Sequence, residues 1–157
     1  RYGMKTILLA AKLCFFLTAA LCVSRCKKNN STSIDRLNIV LYDKPLSVIR
    51  QHIQGKWELI YGKGGIATNT QYYYNNFWEF NDDSVKISDN SSVYANTSMH
   101  WNYDLGTYTN GDSTYLMKFY DKESVPWVYV VERIYNDTLI LHDNASDAYF
   151  YHFIKSN

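Results

Sequence analysis

Cysteine is missing from most of the chain. Among 157 residues there are three, Cys14, Cys22 and Cys26, and none from Lys27 to Asn157. That excludes a disulfide framework, a cysteine metal site and a thiol nucleophile beyond residue 26. Two prolines and seven glycines exclude collagen-like and proline-rich classes. The apolar run Leu13 to Ser24 has twelve residues, whereas a helix crossing a bilayer takes about 20. Net charge is also scarce, at +1, so there is no reason to expect nucleic-acid binding. What remains, 46% hydrophobic and 20% charged residues, suits one folded domain rather than a disordered chain.

The small net charge is a sum over unlike segments. Before Ile34 stand six basic residues and no acidic one; from Gly55 onward seven basic residues face thirteen acidic ones, a net −6. In the head, Lys5 and Lys12 form a positive n-region ahead of the apolar run, the pattern of a cleaved export signal over residues 1–25 starting at Met4. Cys26, followed by the polar Lys27-Lys28-Asn29-Asn30, resembles the lipidated cysteine of bacterial lipoproteins. Cys22, after Ala19-Ala20-Leu21, is the other candidate, and an ordinary secretory signal is the plainer alternative. The lipoprotein resemblance implies export to the cell envelope, at the outer membrane, with a lipid anchor and a tether over 26–44. Acyl chains contribute about 0.8 kcal/mol per buried methylene, enough in multiply acylated chains for stable anchoring.

The body begins with a short helix. Pro45 suits a first helical turn, Leu46, Ile49 and Ile53 form one apolar stripe, and Gly55 fits the C-terminal cap. Thereafter the period is two. Strands are expected at 56–62, 71–80, 84–88, 93–105, 113–121, 126–135, 138–142 and 148–155. Asn81-Asp82-Asp83, Asn110-Gly111-Asp112, Asn136-Asp137 and 143–147 supply turns. Eight antiparallel strands without an intervening helix predict an up-and-down barrel or a sandwich.

Gly55-Lys56-Trp57, opening the first strand after the short helix, carries a more specific resemblance. With Ile53-Gln54, Glu58-Leu59, Gly64-Gly65-Ile66, Asp137-Thr138-Leu139-Ile140-Leu141 and Tyr149-Phe150-Tyr151-His152-Phe153, it resembles the lipocalin-like lipoproteins of Bacteroidetes-type bacteria over residues 45–155. The resemblance implies an eight-stranded barrel, with Trp57 across its closed end under a basic side chain such as Lys155. It also implies a loop, 62–70, acting as a lid over the mouth.

Little in the chain points to catalysis. No H-E-x-x-H, G-x-S-x-G or P-loop pattern occurs. His52, His100, His142 and His152 read as solvated or hydrogen-bonded side chains rather than metal ligands. Most carboxylates, Asp143 among them, are explained by turns. An enzyme, a cofactor and a metal site are therefore not expected. Aromatic residues are the stronger signal, 22 in the 103 residues from Gly55. Strand propensity and core filling account for most, but buried tyrosines need hydroxyl partners, which suits an amphipathic pocket. Trp78, Phe80, Trp101, Tyr103, Tyr115, Met117 and Tyr151 are the candidate lining. Arg133 joins them if it faces inward, where it would hold a carboxylate. The function expected is reversible binding of a small, partly apolar molecule. The alternative is a filled barrel whose outer surface contacts a protein or glycan.

Overall fold

The computed structural model of the protein describes residues 36–90 and 92–156. The expected export signal, Cys22, Cys26 and the tether up to Asp35 lie outside the described residues.

The described chain contains ten strands and one helix: β1 (Ile39–Val40), α1 (Leu46–Ile53), β2 (Gly55–Gly64), β3 (Asn69–Asn81), β4 (Ser84–Ser88), β5 (Val93–Ser98), β6 (His100–Leu105), β7 (Ser113–Tyr120), β8 (Pro126–Tyr135), β9 (Thr138–Asp143) and β10 (Tyr149–Lys155). They form one antiparallel sheet in the order β5-β4-β3-β2-β10-β9-β8-β7-β6, with β1 added to β8. Two meanders are thus joined where β2 pairs with β10. The sheet curls, bringing β5 within reach of β7. Alternation then does the sorting. Trp57 and Leu59, Trp78 and Phe80, Val85 and Ile87, Met117 and Phe119, and Leu139 and Leu141 turn to the concave side and are buried.

Ten strands replace the eight expected, for two reasons. The expected strand 93–105 breaks at Met99, whose N–H leaves the ladder for the Asp83 carbonyl at 2.7 Å. Its first half pairs with β4 and its second with β7. The second difference is β1, in the segment read as tether. Asn38 and Leu37 bond to the Asn136-Asp137 turn, Leu41 donates to Glu132 O at 2.8 Å, and the Leu41 side chain is fully buried.

Two connections also differ from expectation. β2 and β3 stay paired as far as Gly64–Asn69, so the expected loop 62–70 shrinks to a turn at 65–68. Conversely, Asn110-Gly111-Asp112 is the end of a longer connection, 106–112. That connection folds back over the convex side of the sheet. Tyr108 donates to Ser146 O at 2.7 Å and sets its ring against His142 and Phe150. Beneath it Val130 and His142, cross-strand partners, are fully buried.

Helix α1 covers one end of the sheet. It starts after Pro45 and is eight residues long, too short to persist alone. Burying Ile49 and Ile53 stabilises it by about 1.5–3 kcal/mol each. Gly55, at φ +100°, takes the left-handed conformation that ends it. Arg50 pairs with Asp83 and Gln54 with Asp82, tying the helix to the β3–β4 turn. Trp57 Nε1 donates to Ile53 O at 2.6 Å. Lys155 donates to Gln54 O and holds its ammonium 4.4 Å from the Trp57 ring centre.

Candidate functional site

Away from the helix the concave side opens into a cavity of about 630 Å³. Beside the sealed layer of Phe80, Met117, Phe119 and Phe153, the side chains of the wall leave this space unfilled. Three stretches of strand supply most of the wall. β3 contributes Tyr73, Asn76 and Trp78; β8 contributes Pro126 to Tyr129; β9 and β10 contribute Asp143 and Tyr151, with Tyr94 of β5 on the remaining side. Trp78 is the hinge between core and cavity. Its ring packs against Phe119, Tyr129 and Phe153 at 5.8, 5.5 and 5.2 Å between centres. Its Nε1 donates to Asn76 Oδ1 at 3.0 Å, so the indole is fixed in orientation. Offset and edge-on ring pairs of this kind add about 0.5–1.5 kcal/mol each beyond their buried area.

The polar part of the cavity is a cluster of phenols around one carboxylate. Asp143, the last residue of β9, lies opposite Tyr129 in the ladder. Its Oδ2 is 3.5 Å from the Tyr151 hydroxyl and 3.4 Å from the Tyr149 N–H. Burial pushes the Asp143 carboxyl above the ordinary carboxylate range, against the opposing pull of those two hydrogen bonds. Burial also raises the Tyr129 hydroxyl, with Tyr151 and Asp143 adding to it. Tyr151 is raised by burial and then by Asp143, and Tyr73 by burial and then by Tyr149 and Asp143. At neutral pH the three phenols are protonated donors. No ion pair involves Asp143 among the described residues.

The residues singled out from sequence are dispersed. Trp78 and Tyr151 line the cavity. Phe80 and Met117 are fully buried below it, in the packed core. Trp101 lies at the helix end, in a shallow recess with Arg50, whose guanidinium stands 6.0 Å from its ring centre. Tyr103 is 66% exposed, its ring against that of half-buried Tyr115. Arg133 faces outward and bonds Glu132 Oε1 through Nε at 2.7 Å. The cause is a bulge between Val131 and Arg133, which shifts the alternation so that Ile134 turns inward instead. Trp57 and Lys155 meet at the helix end as described. Trp127, Tyr129, Tyr73 and Asp143 were not singled out from sequence. Trp127 and Tyr129 share the parity of buried Val131, a signal that was present; Asp143 was hidden behind its turn.

A second hollow, about 520 Å³, lies on the convex side between the 65–68 turn, Tyr108 and the Glu132–Arg133 pair. The Gly64-Gly65 turn borders this trough, not the cavity. His152 stacks on Tyr61 there, at 4.2 Å between centres, and burial lowers its pKa. Lys63, Glu132, Arg133 and Asp147 give the trough both signs of charge and no dominant electrostatic character. Among the described residues no group of three or more His, Cys, Asp or Glu is placed to hold a metal. No described helix is long and apolar enough to cross a membrane. Comparisons of the chain with protein-family models, curated proteins and solved structures return no match.

Proposed function

We propose that the protein is a lipocalin-like binding protein of the cell envelope that takes a small, partly apolar molecule, reversibly and without covalent chemistry, into the cavity at the open end of its sheet. The observation that carries this reading is the cavity itself, a hollow of about 630 Å³ walled by rings and closed below by a packed core. Its size and its mix of apolar wall with a few convergent hydroxyls are those of small-molecule sites.

The strand order supports the barrel part of the proposal. If β5, Met99 and β6 are counted as one bent strand, the order of pairing matches that of an eight-stranded up-and-down barrel, each strand beside its sequence neighbour and β10 beside β2. The Lys155–Trp57 contact stands where the resemblance puts a basic side chain over the barrel-end tryptophan. Lipidation of Cys26 would tether the domain to the membrane. Labelling with a palmitate analogue tests it, and equal labelling of Cys26→Ser would refute the anchor.

The binding reading is tested by native mass spectrometry of the purified chain and by titration with a fluorescent naphthylamine probe. Bound small molecules or saturable probe binding is expected, weakened at least tenfold by Tyr151→Ala and unaffected by Trp101→Ala. Absence of any saturable binding, or equal loss in both variants, refutes it. A second reading, a docking surface for a protein or glycan, is favoured by one observation: on β6 the apolar Tyr103 and Leu105 are exposed. Tyr103→Ser with Leu105→Ser would abolish such docking and leave the cavity unchanged.

A further inference from the structure

Six aromatic side chains and a single formal charge line the cavity. The rings are Tyr73, Trp78, Tyr94, Trp127, Tyr129 and Tyr151, and the charge is the carboxylate of Asp143. From this we infer that the ligand is an organic cation, an amine or quaternary ammonium bearing an apolar group. The inference rests on the reading of the cavity as a ligand site and narrows it to one chemical class.

The argument is one of complementarity. Ring faces carry negative quadrupole potential, and a cation within about 6 Å of several such faces is attracted to each, the more so when water is excluded. Asp143 supplies a full negative charge on the same wall. It is held by two long hydrogen bonds, 3.4 and 3.5 Å, which leave most of the roughly four acceptor positions of a carboxylate free. It has no cationic partner among the described residues. Asp143 is half-buried on a wall that water can reach, and a bound cation would replace that water with an ion pair strengthened by the apolar, ring-lined surroundings. An anionic ligand would meet repulsion from Asp143. A neutral one would leave the carboxylate without a counter-ion and gain only apolar contact.

The rest of the lining fits the same class. Asn76 is engaged with Trp78, so it does not compete for the cation. The apolar wall, Leu59, Ile87 and Val128, gives the ligand's hydrocarbon part a surface to cover. Lys63 and Arg133, which would oppose a cation, border the convex trough instead.

Two probes of nearly the same shape decide the matter. Benzyltrimethylammonium and its carbon isostere neopentylbenzene differ in charge alone. Titration calorimetry on the intact chain should show the cation binding at least tenfold more tightly than the isostere. In Asp143→Asn, which keeps size and a hydrogen-bond acceptor, the ratio should fall to within about threefold. Equal affinities in the unaltered chain overturn the cation assignment but leave the binding site standing. Binding of neither probe overturns both. A cation preference undiminished in Asp143→Asn, with the fold verified by circular dichroism, removes Asp143 from the site and overturns the inference as argued. Should that variant fail to fold, the two probes on the unaltered chain still decide between charge and shape.

Discussion

Truncating Trp78 and Phe80 to alanine, one at a time, should destabilise the protein in the order opposite to side-chain size. The two residues are neighbours on one face of β3, 3% and 0% exposed. They differ in what lies beside them. Phe80 is enclosed, so Phe80→Ala leaves a sealed void. A phenyl ring's volume of roughly 100 Å³, at about 24 cal/mol per Å³, makes a void term of about 2.4 kcal/mol. The lost transfer energy adds about 2 kcal/mol, giving a total of about 4–5 kcal/mol. Trp78 borders the open cavity. Its removal enlarges a space that water can enter, because Asn76, Asp143 and the phenols offer partners. The void term then largely vanishes, leaving a loss of about 2–3 kcal/mol. A domain of this size is stable by on the order of 10 kcal/mol, so both variants should fold. Urea unfolding at equal slopes measures the difference. If Trp78→Ala is the more damaging by 1 kcal/mol or more, the indole is sealed in the core and the cavity does not reach it.

Stability should also depend on pH through His142. Its ring is fully buried under Tyr108, and burial lowers its pKa, against the pull of the Asp143 carbonyl, Glu132 and the Asp143 carboxylate. Below the ordinary histidine value of about 6.5 the unfolded chain binds a proton that the folded chain resists. Stability is therefore present above that range and lost as pH falls through it. His152 contributes with the same sign. His142→Leu should flatten, without abolishing, the melting-temperature slope between about pH 7 and pH 5; a slope parallel to that of the unaltered chain would mean the imidazole titrates freely. Asp143 has the opposite sign. Its raised carboxyl weakens the fold as pH climbs above the ordinary carboxylate range, so Asp143→Asn should melt higher than the unaltered chain at neutral pH, and a lower melting point would show the charge to be compensated. Finally, Gly64 and Gly111 both have positive φ, +154° and +84°, but a Cβ on Gly64 would lie 2.1 Å from Ala148 O while one on Gly111 meets nothing within 4 Å. Gly111→Ala should cost about 1 kcal/mol of backbone strain, and Gly64→Ala at least about 2 kcal/mol more as β2 and β10 are pushed apart; equal costs in thermal unfolding would rule out the close approach.

Much of the sheet is legible in the sequence because a half-buried strand writes its inner face at every second residue. Trp57-Leu59, Trp78-Phe80 and Val85-Ile87 needed nothing more, and α1 is written as plainly by Pro45 and its apolar stripe. What parity cannot say is the height of a residue along the strand. Trp78 and Phe80 share a face, yet one borders the cavity and the other fills the floor, and nothing in the alternation separates them. Parity also fails at a bulge, which is why Arg133 could be placed on either side and why Ile134 is the residue that turns in. The break at Met99 and the two residues of β1 depend on partners far along the chain. Asp143 sits at a strand end where turn chemistry accounts for an aspartate, and its burial arises from Tyr129 and Tyr151, which no local pattern connects to it. The exposure of Tyr103 and Leu105 has a related cause, since the regular alternation of β6 belongs to a strand at one end of the sheet order.

The pairing of β2 with β10 has a consequence for how the chain reaches its fold. In the sheet order β10 is the middle strand, with four strands on either side, yet it follows all the other described strands along the chain. Until Tyr149–Lys155 emerges, the meander β2–β5 and the meander β6–β9 have no strand between them, and each presents an unpaired edge. Closing that gap joins Trp57 to Lys155 and Gly64 to Tyr149, contacts of high sequence separation that slow folding. The strand that joins the two meanders is therefore made after both of them. For the same reason deleting β10 is not like trimming an edge: it takes out the keystone and leaves two ribbons.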